Sequence, residues 1–316
     1  MRCAVVAHAA MRRGHAVAFA LRGEAAARAA LGREVPAAVV HPWNAPEEVV
    51  RETDALVIDS PDPIGPVLAA ARRSGVPAVV LDRLDHLDDS AATVLPVAHG
   101  PAVGHARLSQ GAEWCLIADA VRERTGAPYP GRRRCALLTL GGADPLGLTT
   151  PLAGALADAV AQAPGSVDEI HGVVGPAFAA AERVAGELAA LGLRVHRSPG
   201  RAEMARLMAE SLVAVAGFGT SVYDLAAVGT PVVYWTHRSA DVDSARRLEA
   251  RGIGAFGGDG AAFSPETARA ALVRAVGDAG WRQAVSARGR AALAGADGAA
   301  RLVGLLETLV PTGVPA

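Results

Sequence analysis

The chain has 316 residues, and because cores stop growing efficiently near ~250 residues, two domains of similar size are expected. Apolar residues make up 51% of it and aromatics only 4%, so the core must be built from Ala, Val and Leu, which suits helices packed on parallel sheet. The 31 Lys and Arg against 32 Asp and Glu give a net charge of -1, leaving no global field to draw in nucleic acid or an anionic membrane; a small-molecule partner is expected instead.

Cys3, Cys115 and Cys135 are far apart and show no CxxC or Cys/His zinc spacing, so a reducing cytoplasm and no bound metal are expected. Met1-Arg2 precedes the apolar run CAVVAHAA, but His8 interrupts it and Arg12 and Arg13 follow, which argues against an export signal. No run reaches the ~18 apolar residues of a membrane span.

In chain order, the first half opens in a helical pattern over Arg2 to Arg13 with no strand before it. In a doubly wound sheet the first strand is central, so this start leaves the middle of the sheet unfilled, through a late start codon or a rearranged domain. Strands are predicted at Ala16 to Leu21, Ala37 to Val40, Ala55 to Ile58, Ala78 to Leu81 and Thr93 to Val97, with a helix at Pro66 to Ser74 closed by Gly75 and Pro77. The stretch TGAPYPGRRR, Thr125 to Arg134, is the expected linker and its arginines a solvated cluster. It divides the chain into domains at 1–130 and 131–316.

The second half restarts with a strand at Cys135 to Leu140 and continues through Ile170 to Val174, Leu193 to Arg197, Leu212 to Ala216, Pro231 to Trp235 and Gly254 to Phe256. Helices are predicted between them at Leu152 to Gln162, Ala179 to Leu191, Arg201 to Ala209, Ser221 to Val228 and Val242 to Ala250. The tail from Pro265 to Leu309 reads as helix with breaks near Gly277 and Gly295. This alternation is the pattern of parallel βα units, hence an α/β fold with two Rossmann-like domains.

Two Gly-rich turns stand out. In LVAVAGFGTSVYDLAAVGTPVVYW a buried strand runs into Gly217-Phe218-Gly219, then Thr220 and Ser221 open a helix. The amide groups and dipole of such a helix start favour an anion like a diphosphate, and Asp224, expected at the mouth of the site, could reach ribose hydroxyls. The alternative is a tight turn with Ser221 as a mere cap. The dinucleotide fingerprint is not met, because its third glycine and its distant acidic residue are lacking. In CALLTLGGADPLGLTT, Gly141-Gly142 ends the strand and Asp144-Pro145 starts a turn; the glycines could pack against a diphosphate, or the segment could be a turn and helix cap.

Among nine histidines none forms a triad or HExxH pattern. His99 and His105 are expected at the carboxyl edge of the first sheet, where ligands bind in open α/β sheets, and so become candidate acid/base groups. His237 is expected on the corresponding edge of the second sheet. His15 reads as a surface turn residue. Ser60, Asp62 and Asp82 also end strands.

The segments RCAVVAHAAMRRGHAVAFALRG, LLTLGGADPLGLT, MARLMAESLVAVAGFGTSVYDLAAVGTPVV and DGAARLVGLLETL resemble the UDP-sugar hydrolase of pseudaminic acid synthesis and related spore-coat polysaccharide proteins, which are GT-B enzymes. The resemblance implies two Rossmann-like domains facing across a cleft, an N-terminal acceptor and catalytic domain and a C-terminal nucleotide-sugar domain. It puts the diphosphate loop on Gly217, Phe218, Gly219, Thr220 and Ser221, the ribose acid on Asp224, hinge-side phosphate contacts on Gly141 and Gly142, and base recognition on the segment holding Met204. The hydrolases' Gly-rich turn with its catalytic histidine is missing, and neither His8 nor His15 replaces it. Thr220-Ser221-Val222-Tyr223-Asp224 stands in place of the usual Ser-Thr-x-Trp-Glu. The leading expectation is transfer of a sugar from a UDP-sugar donor to a small acceptor without cofactor or metal, since no DxD cluster is present. Hydrolysis, transfer to a nucleobase or natural-product aglycone, and non-catalytic binding are the alternatives.

Overall fold

The computed structural model describes residues 2–22, 25–43, 45–98, 100, 103–126, 128–129, 131 and 134–310. The chain forms two compact units, Met1–Leu116 with Gly295–Ala316, and Ile117–Ala294.

The first unit contains α1 (Arg2–Arg12), β1 (Ala18–Leu21), α2 (Ala25–Glu34), β2 (Val39–Pro42), α3 (Pro46–Val50), β3 (Leu56–Ile58), α4 (Gly65–Arg73), β4 (Ala78–Leu81), β5 (Ala92–Leu95) and β6 (Leu108–Gln110). The second contains α5 (Asp119–Arg122), β7 (Cys135–Thr139), α6 (Thr149–Gln162), β8 (Glu169–Val174), α7 (Ala181–Ala190), β9 (Arg194–Arg197), α8 (Arg201–Glu210), β10 (Val213–Gly217), α9 (Thr220–Ala227), β11 (Val232–Thr236), α10 (Val242–Ala250), β12 (Ala255–Asp259), α11 (Pro265–Gly277) and α12 (Ala279–Ala292). The last helix, α13 (Gly298–Leu309), returns to the first unit.

The division departs from the expected boundary at 130/131 at both ends. Near the middle, α5 already packs on α8 and α9, and the Tyr129 hydroxyl donates to the Leu212 carbonyl at 3.2 Å. Described residues of the Pro/Gly stretch are thus tied into the second unit rather than forming a free linker. At the end, Gly298 N–H donates to the Cys115 carbonyl at 3.1 Å and Asp297 N–H to that of Glu113 at 3.3 Å. Leu302 and Val303 of α13 are buried, the helix packs along α1, and Glu307 pairs with Arg13 and His15. Burying that apolar face is what brings the tail back.

In the second unit six parallel strands run in the order β12-β11-β10-β7-β8-β9. Every residue of β7, β10 and β11 is buried, as expected when helices cover both faces of a parallel sheet. The core is small-residue and aliphatic, with Leu138, Leu152, Leu156, Leu188, Val215 and Leu272 fully enclosed. From β7 the chain moves outward through β8 and β9, then returns to the other side of β7 at β10. The switch point between β7 and β10 is the place where such sheets leave a crevice at their carboxyl ends.

In the first unit the strands form two parallel ladders, β1-β2 and β3-β4-β5-β6. No ladder joins β1 to β3 among the described residues. Strand β6 was not foreseen. Because it runs parallel to β5, the chain must cross from the carboxyl edge back to the amino edge before entering it. His105, three residues ahead of β6, therefore sits at the amino edge, where its Nε2 is 3.3 Å from Asp88 Oδ1 of the β4–β5 loop. The expected position at the carboxyl edge is corrected on that ground. No helix among the described residues is long and apolar enough to cross a membrane.

A Cβ at Gly298 would lie 2.0 Å from the Trp114 carbonyl oxygen. Gly298→Ala is expected to cost about 1–3 kcal/mol, the usual range for overfilling packed space. Gly304→Ala in the same helix would meet only the Arg13 guanidinium at 3.9 Å, and is expected to be neutral or stabilising by up to about 1 kcal/mol. Urea denaturation of the two variants side by side checks the order.

Candidate functional site

The switch point is built by close approach. A Cβ on Gly217 would lie 2.5 Å from His237 Nε2 and 3.0 Å from the Leu140 carbonyl oxygen, so glycine is what leaves room for the His237 ring beside the end of β10. Phe218 N–H then donates to the Trp235 carbonyl at 2.7 Å, and its half-buried ring lies 5.9 Å from that of Tyr234. The chain turns at Gly219 directly into α9.

Gly219 has an extended backbone, φ 168°, open to any residue. Its expected role therefore does not come from conformation. A Cβ there would meet nothing within 4 Å, so the space over the start of α9 is open. No side chain caps this helix, and exposed Thr220 and half-buried Ser221 form its first turn. Helix α6, which starts at the neighbouring loop, is different. Asp144 Oδ1 and Oδ2 accept from Leu148 N–H at 2.9 Å and Thr149 N–H at 2.7 Å. A carboxylate already occupies the positive end of α6, whereas no side chain caps that of α9.

Gly141 and Gly142 face α9 across the switch point from the end of β7. Gly141 has φ +92°, a left-handed conformation suited to glycine, and a Cβ on either would meet open space. The loop is held from behind: Ala177 N–H donates to the Gly142 carbonyl at 2.8 Å. Gly175 has no room for a Cβ, which would lie 2.4 Å from the Gly141 oxygen.

Asp224, on α9, is half-buried with one oxygen, Oδ1, enclosed and without a hydrogen-bond partner. Burial pushes its carboxyl up to about 7, opposed by the Ala118 backbone N–H that it accepts and by the field of Arg201 at the start of α8. His237 also has a buried ring nitrogen, Nδ1, without a partner. Met204 lies half-buried in α8. His99 lies outside the described residues. Among the described residues, no group of three or more His, Cys, Asp or Glu stands where it could hold a metal ion.

Sequence reasoning thus brought Gly141, Gly142, Gly217, Phe218, Gly219, Thr220, Ser221 and His237 to one sheet edge. It missed Arg201 and Ala118 as neighbours of Asp224, and no local signal links those positions. The closing of α6 by Asp144 was legible as the cap reading of the Asp-Pro turn.

The whole chain is similar in fold to solved structures. It matches MurG of Acinetobacter baumannii with a TM-score of 0.66 at 14% identity, covering 98% of this chain and 95% of that one. The glycosyltransferase of kitacinnamycin gives a TM-score of 0.66 at 17% identity, with the same coverage of 98% and 95%. The UDP-GlcNAc 2-epimerase from Neisseria meningitidis bound to UDP-GlcNAc gives a TM-score of 0.62 at 10% identity, covering 98% and 97%. The chain has the GT-B fold. No protein-family model matches the sequence, and no curated protein matches it.

Folding raises the Asp224 carboxyl from 3.8 to about 7, so between these values the folded chain holds a proton that the unfolded chain has released. Stability therefore falls as pH rises from about 4 to about 7 and stays low above it. Asp224→Asn is expected to raise the thermal midpoint at pH 8 and leave it nearly unchanged at pH 4. Midpoints measured across that range check the sign.

Proposed function

We propose that this protein breaks the anomeric bond of a nucleotide sugar, UDP-linked, and passes the sugar to a small acceptor in the cytoplasm. The observation that carries the reading is the uncapped start of α9 over open space at the switch point, with Gly141 and Gly142 opposite. Preorganised amides at that position stabilise the charge that collects on the diphosphate as the anomeric C–O bond breaks. Asp224, half-buried on α9, has the role of accepting from a ribose hydroxyl. His237 borders the diphosphate, and Met204 belongs to the segment that meets the base.

The reaction moves the bonding electron pair onto the leaving diphosphate, while an acceptor oxygen or nitrogen bonds to the anomeric carbon and gives up its proton to a base. His99 is the proposed base, from a first unit given the acceptor role; His105, at the opposite strand edge, is not. Support for a nucleotide-sugar donor comes from the fold shared with glycosyltransferases and with an epimerase bound to UDP-GlcNAc. The kitacinnamycin enzyme favours a natural-product aglycone as acceptor. With water as acceptor the same cleavage is hydrolysis, the reading that the resemblance to the pseudaminic hydrolase supports. Free sugar or a conjugate among the products separates the two.

UDP at ~100 times its Kd is expected to stabilise the chain by roughly 2.7 kcal/mol. In Gly219→Val that stabilisation is expected to vanish, with the fold intact because the new side chain enters open space. Calorimetric titration of UDP into both proteins is the check; unaltered affinity in the variant removes the site.

A further inference from the structure

Four ionisable side chains form a line in the second unit that the diphosphate site does not use. Glu169 and His171 stand on β8, His196 on the edge strand β9, and Glu203 in the first turn of α8. Glu169 Oε2 is 3.1 Å from His171 Nε2, His171 Nδ1 is 2.8 Å from His196 Nε2, and His196 Nδ1 is 2.8 Å from Glu203 Oε1. The ring planes differ by 17° and the centroids are 5.1 Å apart, the spacing of a head-on contact between nitrogens.

The hydrogens in this line can be counted. An ionised carboxylate only accepts, so both outer nitrogens, His171 Nε2 and His196 Nδ1, must carry hydrogen. The inner contact needs a third, whereas two neutral imidazoles supply two. All three contacts are made only when the pair holds one proton beyond neutrality.

We propose that the Glu169–His171–His196–Glu203 line is a proton-operated clamp that fixes the first turn of α8 to strands β8 and β9. Burial lowers His171 below the ordinary histidine value, so His171 stays neutral and accepts at Nδ1 while His196 carries the extra proton. The imidazoles are 5% and 10% exposed and the carboxylates 47% and 44%, so the store is enclosed but open to solvent protons through its ends.

The charges around the line come from several elements. Arg194 on β9 opposes a proton on His171, and Glu169 favours one. Glu203 comes from α8. From β7 the partner of His171 in register is apolar Leu137. On α7, Glu182 is held by Arg197, and Glu187 by Arg183 and Thr150.

Rising pH empties the clamp and frees the turn. That turn begins with Arg201, whose field acts on Asp224; on the proposed function, nucleotide affinity then falls with it.

The test is nitrogen NMR of the imidazoles in the full chain without nucleotide from pH 5 to 9. The expected result is loss of one proton by the pair in a single shared step, with His171 never doubly protonated. His196→Asn, whose amide nitrogen takes the place of Nδ1 and still donates to Glu203, is expected to remove the step. Amide exchange at 201–204, corrected for its intrinsic pH dependence, is expected to quicken at least ~10-fold through the step in the wild type only. Two independent titrations, two rings neutral throughout, or unchanged exchange would each overturn the clamp. UDP affinity measured over the same range is expected to weaken several-fold more in the wild type than in the variant, where the Asp224 carboxyl, near 7, still titrates. Failure of UDP to bind at any pH removes the proposed function, and the nucleotide-free measurements still decide on the clamp.

Discussion

The second unit depends on a place where one carbon atom does not fit. Gly217 lies where β10 is flanked by β7 and β11, and its missing side chain lets the Leu140 carbonyl and the His237 ring approach the strand from both sides. A Cβ there would displace the His237 ring and press on the Leu140 carbonyl at the switch point. Beyond the end of the next strand, β8, Gly175 has the same role against the carbonyls of Gly141 and Gly142. The glycines that border open space, Gly141, Gly142 and Gly219, are thus held in place by others that border none. The backbone that borders this open space is held from behind by the Gly175 contact and by the Ala177 N–H on the Gly142 carbonyl.

Electrostatics then separates two helix starts that are otherwise alike. Both α6 and α9 begin just beyond strand ends at the switch point, yet Asp144 satisfies α6 from within its own loop. An internal carboxylate is always present at effectively unlimited concentration, so no external anion competes for α6. Helix α9 carries its acid inside the helix, at Asp224, where burial favours the neutral form. A charged carboxylate so near would repel a diphosphate, and partial neutrality, together with the field of Arg201, reduces that repulsion.

Much of this was legible in the sequence, and what was not has identifiable causes. The central strands of the second unit, β7, β10 and β11, are buried on both faces, so they read as apolar runs ended by glycine or a polar turn, and their predicted limits differ from the observed ones by at most one residue. Strand β6 is Leu-Ser-Gln, three half-buried residues without period or punctuation. Missing it reversed the edge on which His105 stands, since each parallel strand sends the chain once more across the sheet. The breaks near Gly277 and Gly295 were visible as well. The destination of α13 was not, because it is decided by contact with Trp114 and Cys115, far back in the chain. Likewise nothing local announces that Ala118 and Arg201 surround Asp224.

The helical start that looked anomalous in sequence has a structural task. With no ladder between β1 and β3 among the described residues, the two ladders of the first unit need another bond. Helix α1 provides one: Ala4 and Ala7 pack with Phe19 of β1 and Val35 after α2, while Arg2 pairs with Asp59 after β3 and Asp82 after β4. Arg22, after β1, reaches Asp62. Such ion pairs, half-buried at Arg2 and Asp59, add little stability on their own, but they are directional. The apolar face of α1, covered further by α13, therefore supplies the cohesion and the arginines the alignment. This unit is held together through its helices, whereas the second is held through its sheet.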